Sequence, residues 1–222
     1  MYKKRYMYDK IQTDFDNIMR TLPKLKTKNP EIEIRFGKTS DDNSSFISHI
    51  SKEKFYNVVM EFQRAQCWSK RDEQTSVDYF IDDYRITEVN GKLECLKKTR
   101  LISPKNYKND DDDDYDVRLC ICAEVNHEIP KSFSEENKLK LKHRQKKRYT
   151  YIYKNIWRYD CTIVKYSDAK DELYEIEIEL MNPEDVVLVY NSGYLAHSLI
   201  LKINDIINLM NGTFHEEDEE VE

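Results

Sequence analysis

The chain has 222 residues, of which 39% are hydrophobic and 35% are charged, with 4 glycines and 5 prolines, a composition too apolar for a disordered chain. The net charge of −6 includes five aspartates at 110–114 and six acids at 216–222, so the remaining body is mildly basic and suits a polyanionic partner. No apolar run approaches the roughly 18 residues that span a membrane, which excludes an ordinary transmembrane helix.

The first elements predicted along the chain are a helix and two strands. Residues 8–22 place apolar side chains at helical spacing. Residues 31–38 alternate strictly between polar and apolar and predict a strand, and residues 46–50 predict a second, short strand. Ser51 is suited to cap a helix that follows. The apolar face of that helix consists of Phe55, Val58, Val59 and Phe62.

The middle of the chain is rich in strands. Residues 76–81 and 84–89 predict two strands, and Asn90-Gly91 is a strong signal for a hairpin turn into a third strand over 93–102. Residues 104–114, which are polar and acidic, predict a loop.

The remaining elements are four strands and a helical end. The strands are predicted at 115–125, 144–154, 156–166 and 173–181. Residues 129–138 predict a loop or a short helix. Pro183 opens a helical segment, and residues 195–210 are apolar enough to pack as a helix.

Eight or nine antiparallel strands with few helices indicate a mainly β domain, either a sandwich or a barrel. We expect one domain over residues 1–215, with 216–222 as an acidic tail or the start of a linker. The five cysteines form no C-x-x-C pair, and no secretory signal is recognised. An odd number of thiols then predicts an intracellular, reducing compartment.

Five strands carry charged residues along one face. Glu31, Glu33 and Arg35 share a face of the first strand, and Glu175, Glu177 and Glu179 share a face of the last. On the strands between them, the aligned residues are Asp116, Arg118, Cys120, Cys122 and Glu124, then Arg144, Lys146, Arg148 and Thr150, then Arg158, Asp160 and Thr162. A solvated sheet face explains any one of these strands. Acids on two strands and bases on others favour opposed walls of one lumen.

Such walls have a specific chemistry. Three glutamates in a row on one strand repel each other unless cations compensate them, and oxygen ligands suit Mg²⁺ or Mn²⁺. Arginine forks and lysine ammonium groups on the opposite wall would hold phosphate oxygens. A metal beside a phosphate ringed by basic residues is the usual arrangement for phosphoryl transfer. The P-loop pattern is absent from the sequence, which disfavours ordinary NTPase folds.

With these residues the chain resembles the triphosphate tunnel metalloenzyme superfamily, and within it the fungal and viral RNA 5′-triphosphatases of mRNA capping. The resemblance runs from Glu31 to about Leu180. Its motifs are Glu31-Ile32-Glu33-Ile34-Arg35-Phe36-Gly37, Arg118 with Glu124, Lys146 with Arg148, Arg158-Tyr159-Asp160-Cys161-Thr162, and Glu175-Ile176-Glu177-Ile178-Glu179. It implies a closed, antiparallel, eight-stranded β-barrel with flanking helices.

The resemblance also implies a role for each matching residue. The metal, Mg²⁺ or Mn²⁺, would be held by Glu31, Glu33, Glu177 and Glu179, with Glu175 supporting the cluster. The triphosphate would be bound by Arg35, Arg85, Lys98, Lys146, Arg148 and Arg158, where strand parity decides between Lys98 and Lys97. Glu124 would orient the attacking water, Arg118 would hold Glu124 or contact phosphate, and Asp160 would position Arg158 or Lys146. Water would attack the γ-phosphate in line and leave a 5′-diphosphate end.

Two other functions remain open from the sequence. A tunnel enzyme for thiamine triphosphate, tripolyphosphate or free nucleotides would share this chemistry, although the basic and aromatic stretch 142–153 favours RNA. A non-catalytic barrel that binds phosphorylated ligands or nucleic acid would not need so many inward glutamates.

The biological setting is also predicted. The guanylyltransferase signature K-x-D-G is absent, so the chain is either a stand-alone triphosphatase or one domain of a larger capping enzyme, with a guanylyltransferase in the same or a partner chain. Low glycine with high lysine, asparagine, isoleucine and tyrosine indicates an AT-rich genome, such as that of a large DNA virus, in which case the location is the virion or host cytoplasm.

Overall fold

The computed structural model describes residues 2–24, 29–42, 44–109 and 115–213, with side chains from residue 6 onward. The two acidic segments singled out in the sequence, 110–114 and 216–222, lie outside the described residues.

The elements follow the predicted order of helix, strands and terminal helices. The strands are β1 (Pro30–Thr39), β2 (Phe46–Ile47), β3 (Lys70–Ile81), β4 (Tyr84–Val89), β5 (Lys92–Tyr107), β6 (Asp116–His127), β7 (His143–Tyr153), β8 (Trp157–Tyr166) and β9 (Leu173–Leu180). The helices are α1 (Tyr2–Thr21), α2 (Lys52–Arg64), α3 (Pro183–Val189) and α4 (Ser192–Met210), with short 3₁₀ turns at Leu22–Lys24 and Lys138–Lys140.

Eight of the strands form a closed antiparallel barrel, as predicted. Their order around the barrel is β1-β6-β5-β4-β3-β7-β8-β9, and β9 pairs back onto β1. The two-residue strand β2 adds to the end of β1, where Lys38 stands opposite Ile47. The pairing of β1 with β9 sets Glu33 opposite Glu179 and Arg35 opposite Glu177. Closure therefore joins the two glutamate-rich strands side by side.

The apolar faces of the strands point outward, under the helices. Ile32, Ile34, Ile176 and Ile178 are almost fully buried in one core with residues of α1, α2 and α4. Burying each such side chain contributes about 1.5–3 kcal/mol. Since side chains alternate along a strand, anchoring the apolar residues to the helices directs the charged residues into the lumen.

Local signals in the sequence set several element ends. Ser51 caps α2 by accepting a hydrogen bond from the Lys54 amide at 3.3 Å, as predicted. Asn90 and Gly91 have φ values of 49° and 75°, which fit a two-residue hairpin turn. The turn between β7 and β8 has three residues, 154–156, of which Lys154 and Asn155 have φ values of 52° and 56°, although the sequence marks it poorly.

The predicted loop at 104–114 is wrong at its start, because β5 continues to Tyr107. Pro104 lies within a register shift between Ile102 and Lys105 on the β5–β6 ladder. A bulge leaves one residue out of the ladder, so proline can stand there without the loss of a hydrogen bond between strands.

A shorter correction concerns the second predicted strand. Of the predicted strand 46–50, only Phe46–Ile47 pairs with β1, while Ile50 makes a single bridge to Tyr174. Among the described helices, none alone is long and apolar enough to span a membrane, and α3 with α4 meets that test only as a pair bent by 117°.

Candidate active site

The barrel encloses a polar cavity of about 140 Å³. Its lining residues are Glu31, Glu33, Arg35, Arg85, Lys98, Glu124, Arg144, Lys146, Arg148, Arg158, Glu175 and Glu177. A second depression of about 420 Å³ shares Glu31, Glu124 and Arg158 with the cavity and adds Glu179. The cavity and the depression together contain the predicted metal ligands and the predicted triphosphate-binding residues, whereas Arg118 lines neither of them.

One wall of the cavity is acidic and comes from β1 and β9. Glu33 is only 4% exposed. Arg35 links the two strands, with its Nη2 3.0 Å from Glu33 Oε1 and its Nε 3.0 Å from Glu177 Oε1. Lys98 contacts Glu31, and its Nζ lies 3.3 Å from Glu33 Oε2. Strand parity therefore selects Lys98 as the inward lysine, while Lys97 pairs with Asp83 at the surface.

The acidic wall carries more buried negative charge than its bases neutralise. Burial and the neighbouring Glu177 raise the pKa values of Glu33 and Glu175. Burial raises the pKa of Glu179 to about 8, although Arg158 acts in the opposite direction. Burial also disfavours ionised Glu177, but Arg35 and other cations outweigh it and hold that pKa at about 2. A divalent cation would relieve this excess charge.

The residues present fit a divalent cation in their chemistry. The donors are carboxylate oxygens, which suit a hard cation. In the ranges that the structure describes, no three acidic or other ligating side chains are arranged as a metal site. These carboxylates are instead paired with basic residues: Lys98 contacts Glu31, Arg35 contacts Glu177, and Arg158 contacts Glu179.

A basic wall comes mainly from β7 and β8, and it adjoins the acidic wall instead of opposing it as expected, because β8 pairs with β9. Asp160, which is buried, holds two guanidinium groups through one oxygen: Arg148 Nη1 and Arg158 Nε each lie 3.1 Å from its Oδ2. Thr150 donates a hydrogen bond to Asp160 Oδ1 at 2.6 Å. Of the two partners expected for Asp160, the structure gives Arg158 and not Lys146, and it adds Arg148.

Lys146 has a different partner, Asp78, which the sequence reasoning missed. Asp78 is fully buried, and its Oδ2 lies 2.8 Å from Lys146 Nζ and 2.9 Å from Arg144 Nε. Thr87 donates to its Oδ1 at 2.8 Å. Burial lowers the pKa of Lys146 to about 8, although Asp78 acts to raise it. The alternation of strand 76–81 already placed Asp78 opposite the apolar face, and that signal could have identified it.

Glu124 and Arg118 are not brought together. Glu124 Oε1 is 2.9 Å from Arg85 Nη2 and 3.9 Å from Lys98 Nζ. Arg118 instead donates from Nε to Asn106 Oδ1 at 2.9 Å and lies over the Phe46 ring. The two residues lie six positions apart on β6, roughly 20 Å along an extended strand.

The lumen offers no activated thiol. Cys120 and Cys122 lie on the same face of β6 as Glu124, and burial raises the pKa of both thiols, to about 11 for Cys120. Thiols of this kind are poor nucleophiles near neutral pH. The arrangement therefore favours direct attack by water on a phosphate held in the cavity.

The family model described as mRNA capping enzyme, beta chain, matches residues 7–193. The fold is similar to that of the S. pombe Pct1 RNA triphosphatase, with a TM-score of 0.70 and 16% identity over 91% of this chain and 92% of that chain. It is also similar to the mimivirus capping enzyme triphosphatase, with a TM-score of 0.60 and 18% identity over 88% of this chain and 97% of that chain. No curated protein sequence matches.

Proposed function

The chain belongs to the family of the mRNA capping enzyme beta chain, and from this premise we propose how it works as an RNA 5′-triphosphatase. It hydrolyses the γ-phosphate from 5′-triphosphate RNA, the first step of mRNA capping. The observation that carries the assignment of its site is that the acidic wall of β1 and β9 and the adjoining basic wall of β7 and β8 line one cavity of about 140 Å³.

The basic wall binds the triphosphate. Arg148 and Arg158 are held by Asp160, and Lys146 by Asp78, so the cations are oriented before substrate arrives. Preorganised cations stabilise the charge that develops on the phosphate oxygens without reorganising during the reaction. Arg35, Arg85 and Lys98 complete the set from the other strands.

Glu124 orients the attacking water. It lies on the cavity surface, and Arg85 fixes one of its carboxylate oxygens at 2.9 Å. The water attacks the γ-phosphorus in line, its proton passes to Glu124, and the bond to the β-phosphate oxygen breaks. The products are an RNA 5′-diphosphate and inorganic phosphate.

Family membership implies a divalent metal ion. Glu31, Glu33, Glu177 and Glu179 would hold it, and Glu175 would support them. When bound, the metal neutralises charge on the phosphate oxygens. We propose Mg²⁺ or Mn²⁺, because the available donors are carboxylate oxygens and the donor set contains no soft ligand.

The cavity is small and is lined only by charged residues, so it contacts the phosphates and not a base. We therefore expect free nucleoside triphosphates and tripolyphosphate to be hydrolysed as well as RNA. All three substrates contain a chain of three phosphates, and this chain makes the contacts that the chemical step needs.

The cellular setting is proposed from a similar enzyme and from the composition of the chain. The mimivirus capping enzyme that contains a similar triphosphatase domain is described as trifunctional. By analogy, we propose that a guanylyltransferase in the same or a partner chain uses the 5′-diphosphate product. The five free cysteines support an intracellular, reducing compartment, and the composition supports a large DNA virus as the source.

End-group analysis tests this proposal. RNA labelled at the γ-phosphate, ATP and tripolyphosphate should each release phosphate when Mg²⁺ or Mn²⁺ is present, and the RNA product should be a 5′-diphosphate. Glu124→Gln should lower kcat much more than it changes KM. A 5′-monophosphate product, or no phosphate release from any of the three substrates, would contradict it.

A further inference from the structure

A groove of about 770 Å³ lies on the outside of the barrel, separate from the catalytic cavity. It is bordered by α2, by α4 and by the ends of β7 and β8 that turn at Lys154-Asn155. Tyr159 of β8 belongs to its lining, whereas its neighbours Arg158 and Asp160 face the lumen. The groove and the active site therefore use opposite faces of the same strand.

The groove has an aromatic wall with a fixed geometry. The Trp68 ring lies 4.7 Å from Phe62, 5.3 Å from Tyr159 and 6.4 Å from Tyr153, measured between centroids. The Trp68 Nε1 donates to the Phe62 carbonyl oxygen at 2.7 Å, which sets the orientation of the indole. A rigid wall of aromatic rings suits an inserted apolar or aromatic side chain, because little side-chain entropy is lost on binding.

Two buried side chains carry polar groups that reach the groove. Lys202 is only 9% exposed, and its Nζ lies 4.8 Å from the centre of the Tyr153 ring. Within the part of the chain that the structure describes, Lys202 has no hydrogen bond or ion pair, and neither does the hydroxyl of Tyr159, whose side chain is 5% exposed. Neither donor atom is among the described buried polar atoms that lack a partner, so both are open to the groove, where an ammonium and a hydroxyl can donate to an anionic acceptor.

We propose that this groove docks an extended peptide segment of a partner protein, with an aromatic side chain against Trp68 and a neighbouring carboxylate on Lys202 and Tyr159. One ammonium and one hydroxyl can each donate a hydrogen bond to one of the two oxygens of a carboxylate. A phosphate group would call for an arginine cluster, and the groove offers Arg64, which is exposed and paired with Glu61 at 2.5 Å. Asp205 and Glu61, which also line the groove, would repel a dianion more strongly.

Selection from a random peptide library tests the proposal. Short peptides displayed on phage are selected on the full chain and counter-selected on Lys202→Met. An enriched peptide is then synthesised and titrated while the fluorescence of Trp68 is followed. Enriched peptides should combine an aromatic residue with Asp or Glu, and replacing that acid by its amide should weaken binding.

The variants give a graded expectation. Lys202→Met should raise the Kd roughly ten- to hundredfold, because it removes a charge-assisted contact, and Tyr159→Phe should raise it by about two- to tenfold. Lys154→Met is the matched control, since Lys154 also lies over the Tyr153 ring but does not line the groove. Phosphate release should be unchanged in all three variants, which separates docking from catalysis.

Several results would overturn the proposal. One is that no peptide is enriched on the wild type relative to Lys202→Met, and another is that the enriched peptides lack an acid. Tighter binding of a phosphoserine peptide than of its glutamate counterpart would assign the groove to phosphopeptides instead. Concentration-dependent dimerisation that Lys202→Met abolishes would assign it to a second copy of the chain.

Discussion

Replacing Asp78 by asparagine should weaken both the fold and the binding of triphosphate. The carboxylate of Asp78 is fully buried and joins Lys146 on β7, Arg144 on β7 and Thr87 on β4. Asparagine keeps the shape and one acceptor oxygen but removes the charge. Lys146, which is buried, and Arg144, which is partly buried, then lose their counterion.

The contacts set the size of the effect. Each charge-assisted contact contributes about 1.5–3 kcal/mol, and breaking a buried ion pair costs about 3–5 kcal/mol. The pKa of Lys146 is already lowered to about 8, mainly by burial, so this lysine can release its proton and relieve part of the cost. We therefore expect Asp78→Asn to lower the free energy of unfolding by about 3 kcal/mol.

The effect should also depend on pH in a defined direction. Burial acts to raise the pKa of Asp78, but Lys146 and Arg144 outweigh it and lower the pKa below the ordinary value of 3.8. A depressed carboxylate pKa means that the stabilisation is present above pH 3.8 and is lost as the pH falls through the folded-state value. The difference between wild type and Asp78→Asn should shrink in acid.

Urea unfolding and KM for tripolyphosphate measure the two consequences. The control is Asp83→Asn, which removes the same charge from an exposed pair with Lys97 at 3.2 Å. Such surface pairs contribute about 0–1 kcal/mol. If Asp78→Asn unfolds as easily as Asp83→Asn and binds tripolyphosphate like the wild type, the proposed role of Asp78 in positioning the basic wall is refuted.

Three further predictions concern the phosphate wall, the fold and the metal. Because burial lowers the pKa of Lys146 to about 8, its ammonium is lost as the pH rises through that value, so KM for tripolyphosphate should rise there and Lys146→Arg should abolish the rise. Gly37→Ala should destabilise the fold by about 1–3 kcal/mol in urea unfolding, because a Cβ would overlap the Ile47 carbonyl, and a loss within experimental error would contradict this. Mg²⁺ or Mn²⁺ should raise the Tm of the wild type but not of Glu33→Gln, since a metal that binds the folded carboxylates stabilises them; equal shifts would place the metal elsewhere.

The sequence was sufficient to predict the walls of the site, because strand alternation is a local property. The segments 31–38 and 173–181 alternate over their whole length, so their inward glutamates could be assigned without knowing which strands pair. The apolar face of α2 and the Asn90-Gly91 turn were also predicted, since helix periodicity and hairpin chemistry depend on neighbouring residues.

The partners on other strands could not be predicted in the same way. Asp78 and Lys146 are far apart in the sequence and meet only because β3 pairs with β7 in one register, with Ser76 opposite Lys146. The choice of Arg85 as the partner of Glu124 also depends on register between strands, whereas the separation of Arg118 from Glu124 follows from their spacing on one strand. The end of β5 was missed because proline normally interrupts a strand, and only the bulge at Pro104 accommodates it.

The central claim is that the two glutamate-rich strands and the basic strands form one triphosphatase site. Its most direct test is single-turnover release of γ-phosphate from 5′-triphosphate RNA by Glu33→Gln and Glu179→Gln, which stand opposite each other on β1 and β9. The control is Glu184→Gln, on α3 at the rim of the adjoining depression. Both lumen variants should stay folded and lose about a hundredfold or more in rate, whereas the control keeps wild-type activity. Folded lumen variants that release phosphate at the wild-type rate would contradict the account.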